Sequence, residues 1–143
     1  MIKIKSEQEL LESFRLLDRE EVILPQNMTF PFLVKDYLSW EEPSGYRVYL
    51  IFNDHRRQVP FGVVFRRDQS KGGSAARMCD WCHSISGSDE VSLLSAAASP
   101  KRRVGIQLCR DLSCKNNFQS LGRGERINQI IHRMADFSRQ NLF

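Results

Sequence analysis

Apolar and polar positions alternate with two different periods along this chain, and the change of period marks its elements. Leu10, Leu11, Phe14 and Leu17 recur at helical spacing. Ser6, with Glu9 three residues later, forms a capping-box signature ahead of them. An amphipathic helix of roughly three turns is therefore predicted, with Glu7, Glu12 and Asp18 on its solvated face. Pro25 and Pro31 argue against a long regular element before Phe32, and the aromatic density from Phe30 to Trp40 reads as core packing. After the turn signal Pro43-Ser44-Gly45, the runs Tyr46–Phe52 and Val59–Arg67 are rich in strand-favouring residues and predict a β-hairpin. Arg66 to Ser74 reads as a flexible basic loop. Glu90–Ala96 and Arg103–Leu108 then alternate as half-buried strands on either side of Ser99-Pro100. Asp111 stands as the N-cap of a short helix with Leu112, Phe118 and Leu121 inward and Gly122 at its end. The last element, Glu125 to about Gln140, places Ile127, Ile130, Ile131, Met134 and Phe137 on one face and leaves Arg126, Arg133 and Arg139 away from it.

Chemistry enters with the cysteines, of which the chain has four. They fall as two close pairs, Cys79-Asp80-Trp81-Cys82 and Cys109-Arg110-Asp111-Leu112-Ser113-Cys114. A short knuckle aims two sulfurs at one point, and a second pair closes a tetrahedron, so the pattern predicts one structural Zn²⁺ held by Cys79, Cys82, Cys109 and Cys114. A redox C-x-x-C leaves Cys109 and Cys114 without a role, and a pair of disulfides needs a secreted protein. His83, beside Cys82, is the alternative fourth donor. The order knuckle, hairpin, helix is that of a treble clef. The expected fold is thus α+β: an antiparallel β-sheet with a four-cysteine treble-clef zinc finger, an N-terminal helix and C-terminal helices.

Length and charge narrow the function. A chain of 143 residues with 41% apolar content is one domain's worth, 1–143. It has no run long enough to span a bilayer, and Met1-Ile2-Lys3-Ile4-Lys5 lacks the features of a secretory signal, so a cytoplasmic location and no membrane contact are expected. Net charge is +4, unevenly spread: residues 1–45 carry five Lys/Arg against nine Asp/Glu, whereas residues 101–143 carry nine against three. A basic end favours an acidic partner, RNA or protein, unless it serves solubility alone. The expected partner-binding residues are Lys101, Arg102 and Arg103 at the turn between the later strands, with Arg110 and Lys115 beside the second cysteine pair, where they otherwise offset the thiolate charge.

Met78-Cys79-x-x-Cys82, Cys109-x-Asp111-Leu112-x-Cys114, Leu38-Ser39-Trp40-Glu41-Glu42-Pro43 and Tyr46-Arg47-Val48-Tyr49 occur in this order. Together they resemble the treble-clef zinc-finger domain of the elongation factor G-binding proteins, the fusidic-acid-resistance type. The resemblance covers residues 6–122 and leaves 123–143 as a C-terminal helical extension. It implies a zinc-stabilised domain, with Cys79, Cys82, Cys109 and Cys114 as ligands, that binds elongation factor G. In the resistance proteins such a domain follows a helical domain and helps release the factor from the ribosome. The alternative is a zinc-finger RNA- or ribosome-binding protein without that contact. No enzymatic activity and no small-molecule substrate are expected, because His55, His83 and His132 are scattered and no paired acid and base stand at recognisable spacing.

Overall fold

The computed structural model describes residues 2–54, 56–67, 76–86, 90–117 and 122–142. In chain order the elements are β1 (Ile2–Ile4), α1 (Glu7–Ser13), α2 (Leu16–Arg19), β2 (Phe32–Val34), β3 (Tyr37–Glu41), β4 (Arg47–Asp54), β5 (Val59–Arg67), β6 (Arg77–Met78), β7 (Ile85–Ser86), β8 (Val91–Ser99), β9 (Arg102–Cys109), a 3₁₀ turn (Cys114–Asn117) and α3 (Arg123–Asn141). Strands β3-β4-β5-β8-β9 form one antiparallel sheet in that order, while β1–β2 and β6–β7 are separate two-stranded ribbons.

Strict alternation along the central strands builds two cores on one sheet. Val48, Leu50, Phe52, Val63 and Phe65 face a layer made by α3 and all four cysteines. Tyr49, Ile51 and Val64 face the opposite layer, made by Ile4, Leu10, Phe14 and Val34. Burial of both faces explains why β4 is buried along nearly all its length, as expected for the middle of a three-layer arrangement. In the α3 layer Phe65, Trp81 and Phe137 meet with ring centroids 6.0 to 6.1 Å apart, which docks the helix onto the first cysteine knuckle. Among the described residues no helix is long and apolar enough to cross a membrane.

The α+β class, the central hairpin and the C-terminal helix stand as the pattern predicts, with three local differences. The N-terminal helix is shorter: Ser6 Oγ accepts from Glu9 N at 3.2 Å, but α1 ends at Ser13 and Phe14 turns extended. The cause lies elsewhere in the chain. β8 pairs with β5 only at Phe65, Arg66 and Arg67, and Phe14 takes the open edge of β5 in a bridge with Gly62. A Cβ at Gly62 would lie 2.7 Å from the Phe14 ring, so only glycine admits this approach. Leu17 is consequently exposed, and Asp18, expected in solvent, is buried against Arg15 at 2.9 Å.

Arg66 and Arg67 are the second difference, since both belong to β5 rather than to a loop. Arg67 is buried, donating to Glu41, to the Gly45 carbonyl and to the Arg110 carbonyl. The third difference follows Asp111, where the chain makes a single 3₁₀ turn at Cys114–Asn117. Phe118, Leu121, His55 and the expected loop from residue 68 to 74 lie outside the described residues.

Candidate metal centre

Each cysteine pair is shaped by backbone hydrogen bonds that turn the chain back on itself. In the first, His83 N donates to the Cys79 carbonyl at 2.8 Å and Cys79 N to the Ser84 carbonyl at 2.9 Å, closed by the β6–β7 ribbon. In the second, Leu112 N donates to the Cys109 carbonyl at 2.9 Å. Both turns use a non-glycine residue in the left-handed region, His83 at φ 63° and Leu112 at φ 59°. Leu112 is fully buried, so its packing holds a backbone conformation that side chains disfavour.

The four sulfurs meet between these turns. Sγ atoms of Cys79 and Cys114 lie 3.7 Å apart and those of Cys82 and Cys109 3.5 Å, with all four within 4.8 Å of one another. A tetrahedron of four sulfurs at a Zn–S bond of 2.3 Å has edges of about 3.8 Å, so the donor set fits one Zn²⁺. No cysteine is in a disulfide. His83 is not among the donors that converge. Four thiolates fill the tetrahedron and leave no position for water, which makes the zinc structural.

Electrostatics around the sulfurs favour thiolates at the first pair. Hydrogen bonds from Cys109 and then Cys114 hold the Cys79 thiol down to about 7, and the same two neighbours lower Cys82. Cys114 is pushed up through its hydrogen bonds with Cys109 and Cys79. Closing four thiolates on a metal therefore releases protons, and affinity falls in acid.

A brace outside the cysteines fixes the second pair. Tyr37, 3% exposed on the edge strand β3, donates its hydroxyl to the Leu112 carbonyl at 2.8 Å and accepts from Lys115 N at 3.0 Å. Burial pushes the Tyr37 phenol far up, so it stays an O–H donor. On the first pair, Asp80 N donates to the Gln107 carbonyl at 2.8 Å and Gln107 N donates to Asp80 Oδ2 at 3.2 Å, tying the knuckle to β9. Nothing in the local sequence around Tyr37 signals this role; only the fold brings residues 37 and 112 together.

The five basic residues do not form one patch. Lys101 and Arg102 are exposed at the β8–β9 turn. Arg103, expected to be exposed with them, folds back to donate to Ser95 Oγ at 3.0 Å and the Ser95 carbonyl at 2.8 Å. Lys115 pairs with Asp36 at 3.3 Å and lies over the Tyr37 ring at 4.6 Å. Arg110 lines a polar cleft of about 550 Å³ together with Arg67, Glu41, Glu90 and Asp111.

The sequence of residues 9–140 matches the family described as FBP C-terminal treble-clef zinc-finger, a span that takes in α3. Among curated proteins no match is found. Among solved structures the chain is similar to the fusidic acid resistance protein FusC, with a TM-score of 0.56 and 16% identity, a likeness of fold. The alignment covers 89% of this chain and 58% of that protein, so the chain spans well under two thirds of its length. With the fold, the four converging thiols and a match over nearly the whole chain in agreement, this chain belongs to the FBP C-terminal treble-clef zinc-finger family.

Proposed function

We propose that this domain is a binding module for elongation factor G that acts in translation, modulates release of the factor from the ribosome and performs no chemistry of its own. The observation that carries the reading is the family match over residues 9–140, supported by a fold like that of a fusidic acid resistance protein. The closed four-thiolate site agrees with a scaffold, since a filled tetrahedron offers no Lewis-acid position. Reduced thiols suit work in the cytoplasm. Lys101 and Arg102 at the β8–β9 turn, rigidly presented by nine- and eight-residue strands, form the leading edge of the contact.

Capture experiments test this directly. Immobilised zinc-loaded protein is expected to retain elongation factor G from a nuclease-treated bacterial lysate and to bind the purified factor. Changing Lys101 and Arg102 to Glu should weaken binding most at low ionic strength, with zinc content unchanged. A purified factor that shows no binding at low salt to the intact, zinc-loaded domain refutes the reading.

A further inference from the structure

A second basic site lies where α3 meets the first cysteine knuckle. Cys82, His83, Arg126, Gln129 and Arg133 line a cleft of about 180 Å³, roomy enough for several waters at about 30 Å³ each. Two of the lining side chains are guanidinium cations, Gln129 and His83 can donate as well, and among the described residues no carboxylate lines it. Arg126, Gln129 and Arg133 follow one stripe of the helix, the two arginine positions being separated by two turns, about 10 Å along the axis. His83 and Arg126 are exposed, whereas Arg133 is half-buried and donates Nη1 to the Trp81 carbonyl, which fixes its position across the junction.

We infer that this cleft binds the phosphate backbone of single-stranded RNA, with Arg126 and Arg133 on phosphate oxygens and the His83 ring as a stacking surface for the adjoining base. Guanidinium forks match phosphate geometry, and two of them on one cleft attract an anion. The imidazole favours RNA over an acidic peptide, because exposed aromatic rings stack on unpaired bases. Its backbone is held by the hydrogen bond from His83 N to the Cys79 carbonyl, so little ordering is needed on binding. Arg133 also braces the knuckle, and the site is therefore tested at Arg126 and His83. The inference does not depend on elongation factor G.

A fluorescently labelled oligouridine titrated with the zinc-loaded full chain at several salt concentrations provides the test. The wild type should bind with an affinity that falls as salt rises. Arg126→Gln should weaken binding at low salt roughly three- to tenfold and reduce the slope of log K against log salt by about 0.7, one phosphate contact on a single strand. His83→Asn, which tolerates the left-handed backbone, should weaken binding while leaving that slope unchanged. Zinc content and melting temperature should match the wild type in both. The inference is overturned if the wild type does not bind the oligonucleotide, or if both variants bind with wild-type affinity and slope. It is equally overturned if Arg126→Gln impairs only capture of elongation factor G, which would make the cleft a protein contact.

Discussion

The two faces of the central sheet are built from the same strands yet held by different means. On one face, Ile4, Leu10, Phe14 and Val34 cover Tyr49, Ile51 and Val64 by apolar contact, with Phe14 edge-on to Trp40 and Tyr49 at 6.1 and 6.5 Å. On the other, the cysteine cluster and α3 cover Val48, Leu50 and Phe65, and the segments between the aromatic contacts are short turns. The N-terminal face thus draws stability from burial of a small apolar set, with no metal site among its described residues. The zinc face has the larger apolar core, with Trp81, Leu108, Ile130, Ile131 and Met134, and adds to it a few metal bonds around which the cysteine turns fold.

The largest expected effect separates the two faces. Cys114→Ser, or a strong chelator, should remove metal-linked folding free energy on the order of 10 kcal/mol from the zinc face. Hydrogen exchange should show α3, β8 and β9 losing protection well before the amides of α1 and β4. Equal loss of protection on both sides would mean that the sheet melts as one unit and would break the comparison. In the opposite direction, Phe14→Ala should cost about 3–5 kcal/mol while leaving one zinc per chain by elemental analysis. Gly62→Ala forces a Cβ within 2.7 Å of the Phe14 ring and should be destabilising by about 1–3 kcal/mol. Combined with Phe14→Ala it should cost less than the two changes summed, since the clash partner is gone. Additive denaturation energies would place the origin of the Phe14 effect elsewhere.

Tyr37→Phe sharpens the zinc side. It removes a hydroxyl bonded to both Leu112 and Lys115, so a loss of about 1–2 kcal/mol is expected, together with faster zinc release to a chromogenic chelator. Unchanged release kinetics would show that the Cys109–Cys114 turn holds its shape without the brace. The smallest effect concerns pH on the N-terminal side. Burial raises the Asp18 carboxyl above its ordinary 3.8, against the pull of Arg15. A proton is then bound more tightly in the folded state, so the stability linked to Asp18 is fully present below 3.8 and is lost as pH rises through the raised folded value. Asp18→Asn should flatten the stability profile in that window of mild acid, and a profile identical to the wild type would assign the titration to other carboxylates.

What could be read from the sequence follows the range of the interactions involved. The cysteine pairs, the β4–β5 hairpin and the apolar face of α3 are local patterns, and their spacing carries the information. The break at Phe14 is not local. Leu10, Leu11, Phe14 and Leu17 keep a helical period, but the unpaired edge of β5 beyond Phe65 competes for Phe14 and wins. Asp18 and Arg67 deceive for the same reason: charge suggests solvent, whereas Arg15 and Glu41 partner them from within the fold. At the metal centre the ligands were legible and their support was not. Tyr37 reaches Leu112 across 75 residues, and a left-handed leucine has no sequence signature.

Alternate burial along β4 also determines which length changes this domain can absorb. Val48, Leu50 and Phe52 point to the zinc layer and Tyr49 and Ile51 to the other, with Leu50 opposite Val63 and Phe52 opposite Phe61. A single residue inserted within Arg47–Asp54 would exchange the two sets downstream, sending tyrosine toward the cysteine cluster and breaking both cores at once. Point substitutions there damage one layer, whereas insertions and deletions damage two. Variation in length among related domains should therefore collect in the connections, such as the one between Asp54 and Val59, and spare the two central strands.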